Sequence, residues 1–153
     1  MIEIAIAQDL NGTDQVDTPA LTGLAAAVLE ITGTNANSAL SLKFTTDEEI
    51  QVLNRDYLGK DAPTDVLSFP VAFDDPETGS PYLGDILISL PTARKQAETA
   101  GHAVQDEVQL LLAHGMLHLL GYDHTTPEEK AKMWTLQDQI LTQLGIQAKP
   151  TED

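Results

Sequence analysis

Apolar and polar residues alternate in four short segments of the chain, and this two-residue period predicts β-strands with one buried face. In the first segment three isoleucines alternate with Glu3 and Ala5. Pro70 is expected to end the third strand. The turn-rich loop at 74–81 is short enough for the third and fourth strands to pair antiparallel. The four predicted strands cover residues 2–6, 40–45, 64–69 and 83–88.

Five other segments place apolar residues three or four positions apart, which predicts amphipathic helices. Thr18 is expected to cap the first helix, and Pro19 suits its first turn, where a missing N–H costs nothing. The element order β-α-β-α-β-β-α-α-α predicts one α+β domain, with a small mixed four-stranded sheet packed with about five helices. We expect this domain at residues 1–147 and a loose C-terminal tail at 148–153. The helices are expected at 18–33, 46–57, 91–100, 104–119 and 127–144.

The composition is that of a folded protein. Of the 153 residues, 42% are hydrophobic and 21% are charged, which is too apolar and too varied for a disordered chain. The apolar stretches fall far short of the ~20 residues that span a membrane, and the start has an acid and no basic residues, so no secretory signal is expected. The absence of cysteine excludes disulfides, thiolate metal sites and cysteine nucleophiles. We therefore expect a cytoplasmic protein without a membrane partner.

The chain is also strongly acidic. It has 8 lysine and arginine residues against 24 acids, which gives a net charge of −16. Such a protein repels polyanions on average, and it lacks the basic character usual for domains that bind nucleic acids. Any contact with RNA must therefore depend on a metal ion or on a local cluster of bases. The clustered bases are Arg55 with Lys60, and Arg94 with Lys95.

Three of the four histidines fall between positions 114 and 124. His114 and His118 are four positions apart on a predicted helix, so their side chains project from one face. Gly121 can end that helix in a left-handed conformation, after which the chain can bring His124 back towards the pair. Three neutral imidazoles with an open fourth position are typical of a catalytic zinc, so we predict one Zn²⁺ per chain. Nickel, copper or cobalt would accept the same ligands, and the alternative is that one or two of the histidines are hydrogen-bonded core residues.

The histidine spacing also equals that of the metzincin proteases, H-E-x-x-H-x-x-G-x-x-H. These proteases require a glutamate directly after the first histidine, where it acts as the general base for the attacking water. Gly115 occupies that position and has no side chain. The ligand pattern is thus present without the protease base, which disfavours a peptidase acting by that mechanism.

Three segments of the chain resemble the YbeY family of bacterial ribosome-maturation metalloproteins. The run from His114 to His124 resembles the histidine signature of that family. Residues 53–70, LNRDYLGKDAPTDVLSFP, resemble the family stretch L-N-x-x-[YF]-R-x-x-D-x-P-T-[DN]-V-L-S-F-P. Residues 83–89 resemble its G-D-I-x-I-S strand, and the match covers most of residues 46–135 in the same order.

The resemblance implies a zinc-dependent endoribonuclease that acts on single-stranded RNA, matures the 3′ end of small-subunit ribosomal RNA and clears defective ribosomes. It implies the three histidines as metal ligands. It also implies ribosomal RNA and the small ribosomal subunit with its proteins as partners, and no DNA partner is expected. Leu58 stands where the family usually has a functional arginine. Arg55, one helical turn earlier, or Lys60 could supply the missing cation as a phosphate clamp.

Asp85 is the remaining candidate for a catalytic role. It lies in the predicted fourth strand beside Gly84, where it could orient a ligand histidine or act as general base. An acid at the end of a sheet, bonded to a backbone N–H, is an equally open interpretation. Two other functions also stay open, namely a metal-stabilised ribosome-assembly factor without catalysis and a metallohydrolase of another class, such as a peptidase or amidase.

Overall fold

Strands and helices follow one another in the order that the sequence predicts, which confirms the α+β class. The computed structural model describes residues 2–7, 10, 13–74, 76–77 and 79–148. Apart from residue 148, the predicted tail lies outside this part of the chain. A 3₁₀ turn occupies Thr13–Gln15. The other described elements are β1 (Ile2–Ile6), α1 (Thr18–Ile31), β2 (Ala39–Thr45), α2 (Asp47–Leu58), β3 (Val66–Asp74), β4 (Pro81–Ser89), α3 (Leu90–Ala100), α4 (Val104–Leu119) and α5 (Pro127–Gln143).

The described strands form one mixed four-stranded sheet in the order β1-β2-β4-β3. The β1–β2 and β2–β4 pairs are parallel, while β3 and β4 form the antiparallel hairpin that the short loop predicts. The expectation that Pro70 ends β3 is wrong, because the strand continues to Asp74. A proline is tolerated there because β3 is an edge strand, and the pairing with β4 shifts register between Pro70 and Phe73.

The start of α1 also differs from the prediction. Thr18 is the first helical residue, and the cap is Asp17, whose carboxylate accepts a hydrogen bond from the Ala20 backbone N–H at 3.3 Å. Both residue types can cap a helix, and the one with extended backbone geometry at the boundary takes the role. The acid at 17 additionally lies at the positive end of the helix dipole.

The two faces of the sheet are covered unequally. On one face α1 and α4 pack on the strands, and α3 and α5 complete a large apolar core. On the other face α2 packs through a smaller cluster of Ile50, Leu67 and Leu87. Because successive strand side chains point to opposite faces, Ile86 faces α4 while Asp85 faces the α2 side. This division decides which strand residues can reach the helix that carries the histidines.

Helix α4 is the most deeply buried of the described helices, with ten of its sixteen residues buried. None of the helices in the described ranges is both long enough and apolar enough to cross a membrane. Polar groups on α4 therefore lie beside protein atoms over much of their surface, and each needs a hydrogen-bonding or metal partner.

Candidate metal centre

The three clustered histidines lie together at the C-terminal end of α4. His114 and His118 project from successive turns of that helix, and His124 comes from the loop that follows it. One nitrogen from each ring lies within 4.8 Å of the other two. The Nε2 atoms of His114 and His118 are only 3.1 Å apart. The sequence spacing predicts this convergence, and the three nitrogens are close enough to hold a metal ion.

A tight turn after α4 returns the chain to the histidine pair. Gly121 has a φ of +97°, a left-handed conformation that side chains disfavour. The Tyr122 backbone N–H donates to the Leu117 carbonyl at 2.9 Å and so folds the loop back against the helix. The His124 backbone N–H donates to the Asp123 carboxylate at 2.7 Å. Asp123 thus fixes the backbone that presents His124.

Helix α5 forms one wall of the centre. The His114 Nδ1 lies 3.0 Å from the side-chain oxygen of Gln137. The ring of Trp134 packs edge-on against the rings of His114 and His124, at centroid distances of 5.4 and 5.8 Å. The apolar pattern of α5 indicates only core packing for Trp134, and it gives no role to Gln137. The one feature of the sequence that could have pointed to Gln137 is its position as an amide on an otherwise apolar stripe of the helix.

Burial keeps the two helical imidazoles neutral. It is the main cause that lowers the pKa of His118 to about 4, and the charges of His114 and His124 lower it further. Burial also lowers the pKa of His114, while the hydrogen bond to Gln137 opposes the shift. A neutral imidazole has a free nitrogen lone pair, and it is this form that binds metals. Near neutral pH both side chains are therefore in the ligating form.

Gly115 faces the sheet and not the histidines. A Cβ atom built there would lie 3.1 Å from the Cγ2 of Ile86 and 3.1 Å from the Oγ of Ser68. The Ser68 hydroxyl also donates to the Gly115 carbonyl at 3.2 Å. The position that carries the general base in metzincins has no room for a glutamate here. This agrees with the expectation that a metzincin mechanism is disfavoured.

The histidines line an open cavity of about 640 Å³ between α4, the end of α2 and the start of β3. Lys60 is the only lysine or arginine among the described residues of its lining. Asp65 and Asp123 are the carboxylates that line it, and Leu58 contributes an apolar side chain that is 54% exposed. A positive charge, two acids and three imidazoles therefore share one solvent-filled space.

The structure does not bring the other two candidates into this cavity. Arg55 pairs with its neighbour Asp56 at 3.0 Å, and both side chains are half exposed. Asp85 lies on the α2 side of the sheet, opposite α4, where the Tyr82 hydroxyl donates a hydrogen bond to it. Strand alternation puts Asp85 and Ile86 on opposite faces, and Ile86 is the one that contacts α4. This placement gives no support to Asp85 as the orienting group for a histidine or as the general base.

Comparison with known proteins agrees with the resemblance of the sequence motifs. The family model described as endoribonuclease YbeY matches residues 7–145. The chain is a member of the endoribonuclease YbeY family. A YbeY relative from Halalkalibacterium halodurans is 51% identical over 118 residues, which cover 70% of this chain and 72% of the relative. One from Heliobacterium modesticaldum is 44% identical over 139 residues, covering 84% and 83%. Both relatives are named endoribonuclease YbeY.

A solved structure shares the fold of this chain at lower sequence identity. A Thermotoga maritima protein, determined in solution, matches all of this chain and is itself covered completely, with a TM-score of 0.57 and 23% identity. That similarity is evidence for the fold alone.

Proposed function

We propose that this protein is a zinc-dependent endoribonuclease that cuts single-stranded RNA. We further propose that it matures the 3′ end of small-subunit ribosomal RNA and contributes to ribosome quality control in the cytoplasm. The observation that carries the proposal is the convergence of three histidines of a YbeY-family chain in an open cavity. Membership of the family supports RNA as the substrate, and the cavity that the histidines line is open.

The donor set fits one zinc ion per chain. Three nitrogen ligands leave a fourth position for an exchangeable molecule, which is the arrangement of catalytic zinc sites. When bound, zinc supplies a Lewis acid and lowers the pKa of a coordinated water towards about 7. His114, His118 and His124 would hold it, and no cysteine is present to compete.

Lys60 supplies the positive charge that the chemistry requires from the protein. Cleavage of a phosphodiester develops negative charge on the phosphate oxygens, and a cation placed nearby stabilises that charge. Lys60 lines the cavity, whereas Arg55 is paired with Asp56. The apolar Leu58 cannot supply this charge, so we assign the phosphate-binding role to Lys60.

The net charge of −16 opposes binding of free RNA. A single lysine and one metal ion offset only part of that repulsion at the cavity. We therefore propose that proteins of the small ribosomal subunit present the RNA, and that the isolated enzyme acts weakly on naked RNA.

Cleavage of a labelled single-stranded RNA by zinc-loaded protein tests the proposal. We expect His114→Ala to abolish cleavage and Lys60→Ala to reduce it. Lys60→Ala should also weaken the salt dependence of RNA binding, so that the slope of log K against log salt concentration becomes shallower by about 0.7. Lys95→Ala on the exposed face of α3 is the matched control and should behave as the wild type. Equal cleavage by wild type and His114→Ala would indicate a contaminating nuclease and contradict the proposal.

The net charge and the leucine at position 58 also favour a second candidate, a metal-stabilised assembly factor without catalysis. The two functions differ in one outcome. A zinc-loaded wild type that binds small subunits but leaves both naked and ribosomal RNA intact would support the assembly factor.

A further inference from the structure

Gln137 is a buried polar residue to which the proposed function gives no role. Its side chain is 2% exposed, and it lies on the buried face of α5 with Met133, Ile140 and Leu141. An amide among apolar side chains is unfavourable unless it is hydrogen bonded. Its side-chain oxygen lies 3.0 Å from Nδ1 of His114, on a different helix and 23 residues away. The contact therefore joins α5 to the metal centre.

We propose that Gln137 is a positioning residue that fixes both the tautomer and the ring orientation of His114 for metal binding. This inference rests on the proposed metal function of the histidines. It adds a residue outside the ligand set, and it makes the packing of α5 a determinant of metal affinity.

The argument for the tautomer follows from hydrogen-bonding capacity. An amide oxygen can only accept, so the Nδ1 of His114 must carry the proton and donate to it. In a neutral imidazole the other nitrogen, Nε2, is then unprotonated. That nitrogen is the one that lies 3.1 Å from Nε2 of His118. Gln137 therefore holds the free lone pair of His114 on the side where the other ligand nitrogens gather.

The argument for orientation uses a second contact from the same helix. Trp134 lies three residues before Gln137, on the same side of α5, and packs edge-on against the rings of His114 and His124. The hydrogen bond fixes one edge of the His114 ring, and the indole limits its rotation. A ligand held in this way loses less conformational freedom when a metal binds.

Two substitutions at position 137 separate the hydrogen bond from the packing. Gln137→Met keeps the length of the side chain but removes the acceptor. Gln137→Glu keeps an acceptor for the Nδ1 proton. Gln139→Met is the matched control, because Gln139 is an exposed residue of the same helix.

Zinc affinity is measured by competition with a chromogenic chelator. We expect Gln137→Met to raise the zinc dissociation constant about 10- to 100-fold. Gln137→Glu should stay near the wild-type value, and Gln139→Met should leave it unchanged. A zinc dissociation constant that is unchanged in Gln137→Met would overturn the proposal. If the metal-free variant were at the same time less stable than the wild type, Gln137 would have a structural role alone.

The tautomer is measured directly in the metal-free protein by long-range ¹H–¹⁵N correlation spectra of the histidine rings. We expect the proton of His114 on Nδ1 in the wild type and a shift towards the Nε2-protonated form in Gln137→Met. A wild-type His114 protonated on Nε2 would overturn the proposal even where the methionine variant does not fold.

The two assays also separate this inference from the proposed function. A wild type that binds no zinc would overturn both. If the wild type binds zinc more tightly than Gln137→Met but cleaves no RNA, the positioning role of Gln137 stands and only the nuclease function is refuted.

Discussion

The close approach of α4 to the sheet at Gly115 makes a quantitative prediction for Gly115→Ala. A new Cβ would lie 3.1 to 3.2 Å from two carbons of Ile86 and 3.1 Å from the Ser68 hydroxyl, closer than ordinary contact. Forcing an extra carbon into a packed core costs about 1–3 kcal/mol. Replacing glycine by alanine inside a helix returns about 1 kcal/mol through helix propensity. We therefore expect Gly115→Ala to lower the free energy of unfolding by about 0–2 kcal/mol.

Gly23→Ala isolates the packing cost. Gly23 is exposed in the interior of α1, and a Cβ there meets nothing within 4 Å. This variant should therefore gain up to about 1 kcal/mol from helix propensity alone. The difference between the two variants, about 1–3 kcal/mol, is the cost of the missing space at Gly115.

Urea unfolding of both variants and the wild type, monitored by circular dichroism, measures that difference. In thermal unfolding it corresponds to about 2–4 °C for each kcal/mol in a chain of this size. Equal stabilisation of both variants would refute the reasoning, because it would mean that α4 can move away from β3 and β4 without cost.

Three further predictions concern the sheet, a buried acid and the metal. Gly84→Ala should be among the most destabilising single changes and lower the free energy of unfolding by more than about 3 kcal/mol. Gly84 has a φ of +141°, and a Cβ there would lie 2.3 Å from the Phe69 carbonyl oxygen. A thermal midpoint near that of the wild type would contradict this prediction. Burial raises the pKa of Glu107 above 4.5, so the stability that its proton provides is complete below pH 4.5 and is lost as the pH rises through the raised pKa. Glu107→Gln removes this pH dependence. In urea unfolding from pH 4 to 8, the free energy of unfolding of the variant should rise relative to that of the wild type. A difference between the two proteins that stays constant with pH would refute a raised pKa of Glu107. Zinc at 100 times its dissociation constant should stabilise the wild type by about 2.7 kcal/mol, and thermal unfolding of His124→Ala should show little of this gain.

The sequence predicts much of this fold because its strongest signals are local. The continuous apolar character of α4 and its acidic first turn give bounds that agree with the structure at both ends. The histidine spacing predicts the convergence of three imidazoles for the same reason, since two of them lie one helical turn apart and the third follows a glycine turn. Both inferences need only contacts between residues that are near in sequence.

The cap of α1 is a local exception, since Asp17 and Thr18 are neighbours and either residue type can cap a helix. The other differences from the sequence prediction depend on contacts between distant elements. Alternation along β4 places Asp85 and Ile86 on opposite faces, but only the packing of α4 decides which of them lies near the histidines. Pro70 ends a strand in most settings, and its place on a sheet edge is a property of the whole sheet. The contact between Gln137 and His114 joins two helices through side chains 23 residues apart, which no spacing rule describes.

The absence of a side chain at Gly115 and the presence of a cavity beside His114 have one structural cause. Helix α4 lies so close to β3 and β4 that a Cβ at position 115 would lie 3.1 to 3.2 Å from the side chains of Ile86 and Ser68. The same closeness brings His114 and His118 beside the residues that begin β3, so that the cavity includes Asp65 and extends to Lys60. Moving the helix outward to admit the glutamate of a metzincin would widen that cavity and separate the imidazoles from the lysine. In this chain the glycine after the first histidine therefore lies where the helix packs tightly on its sheet, and the charged residues of the cavity come from the strands and loops opposite.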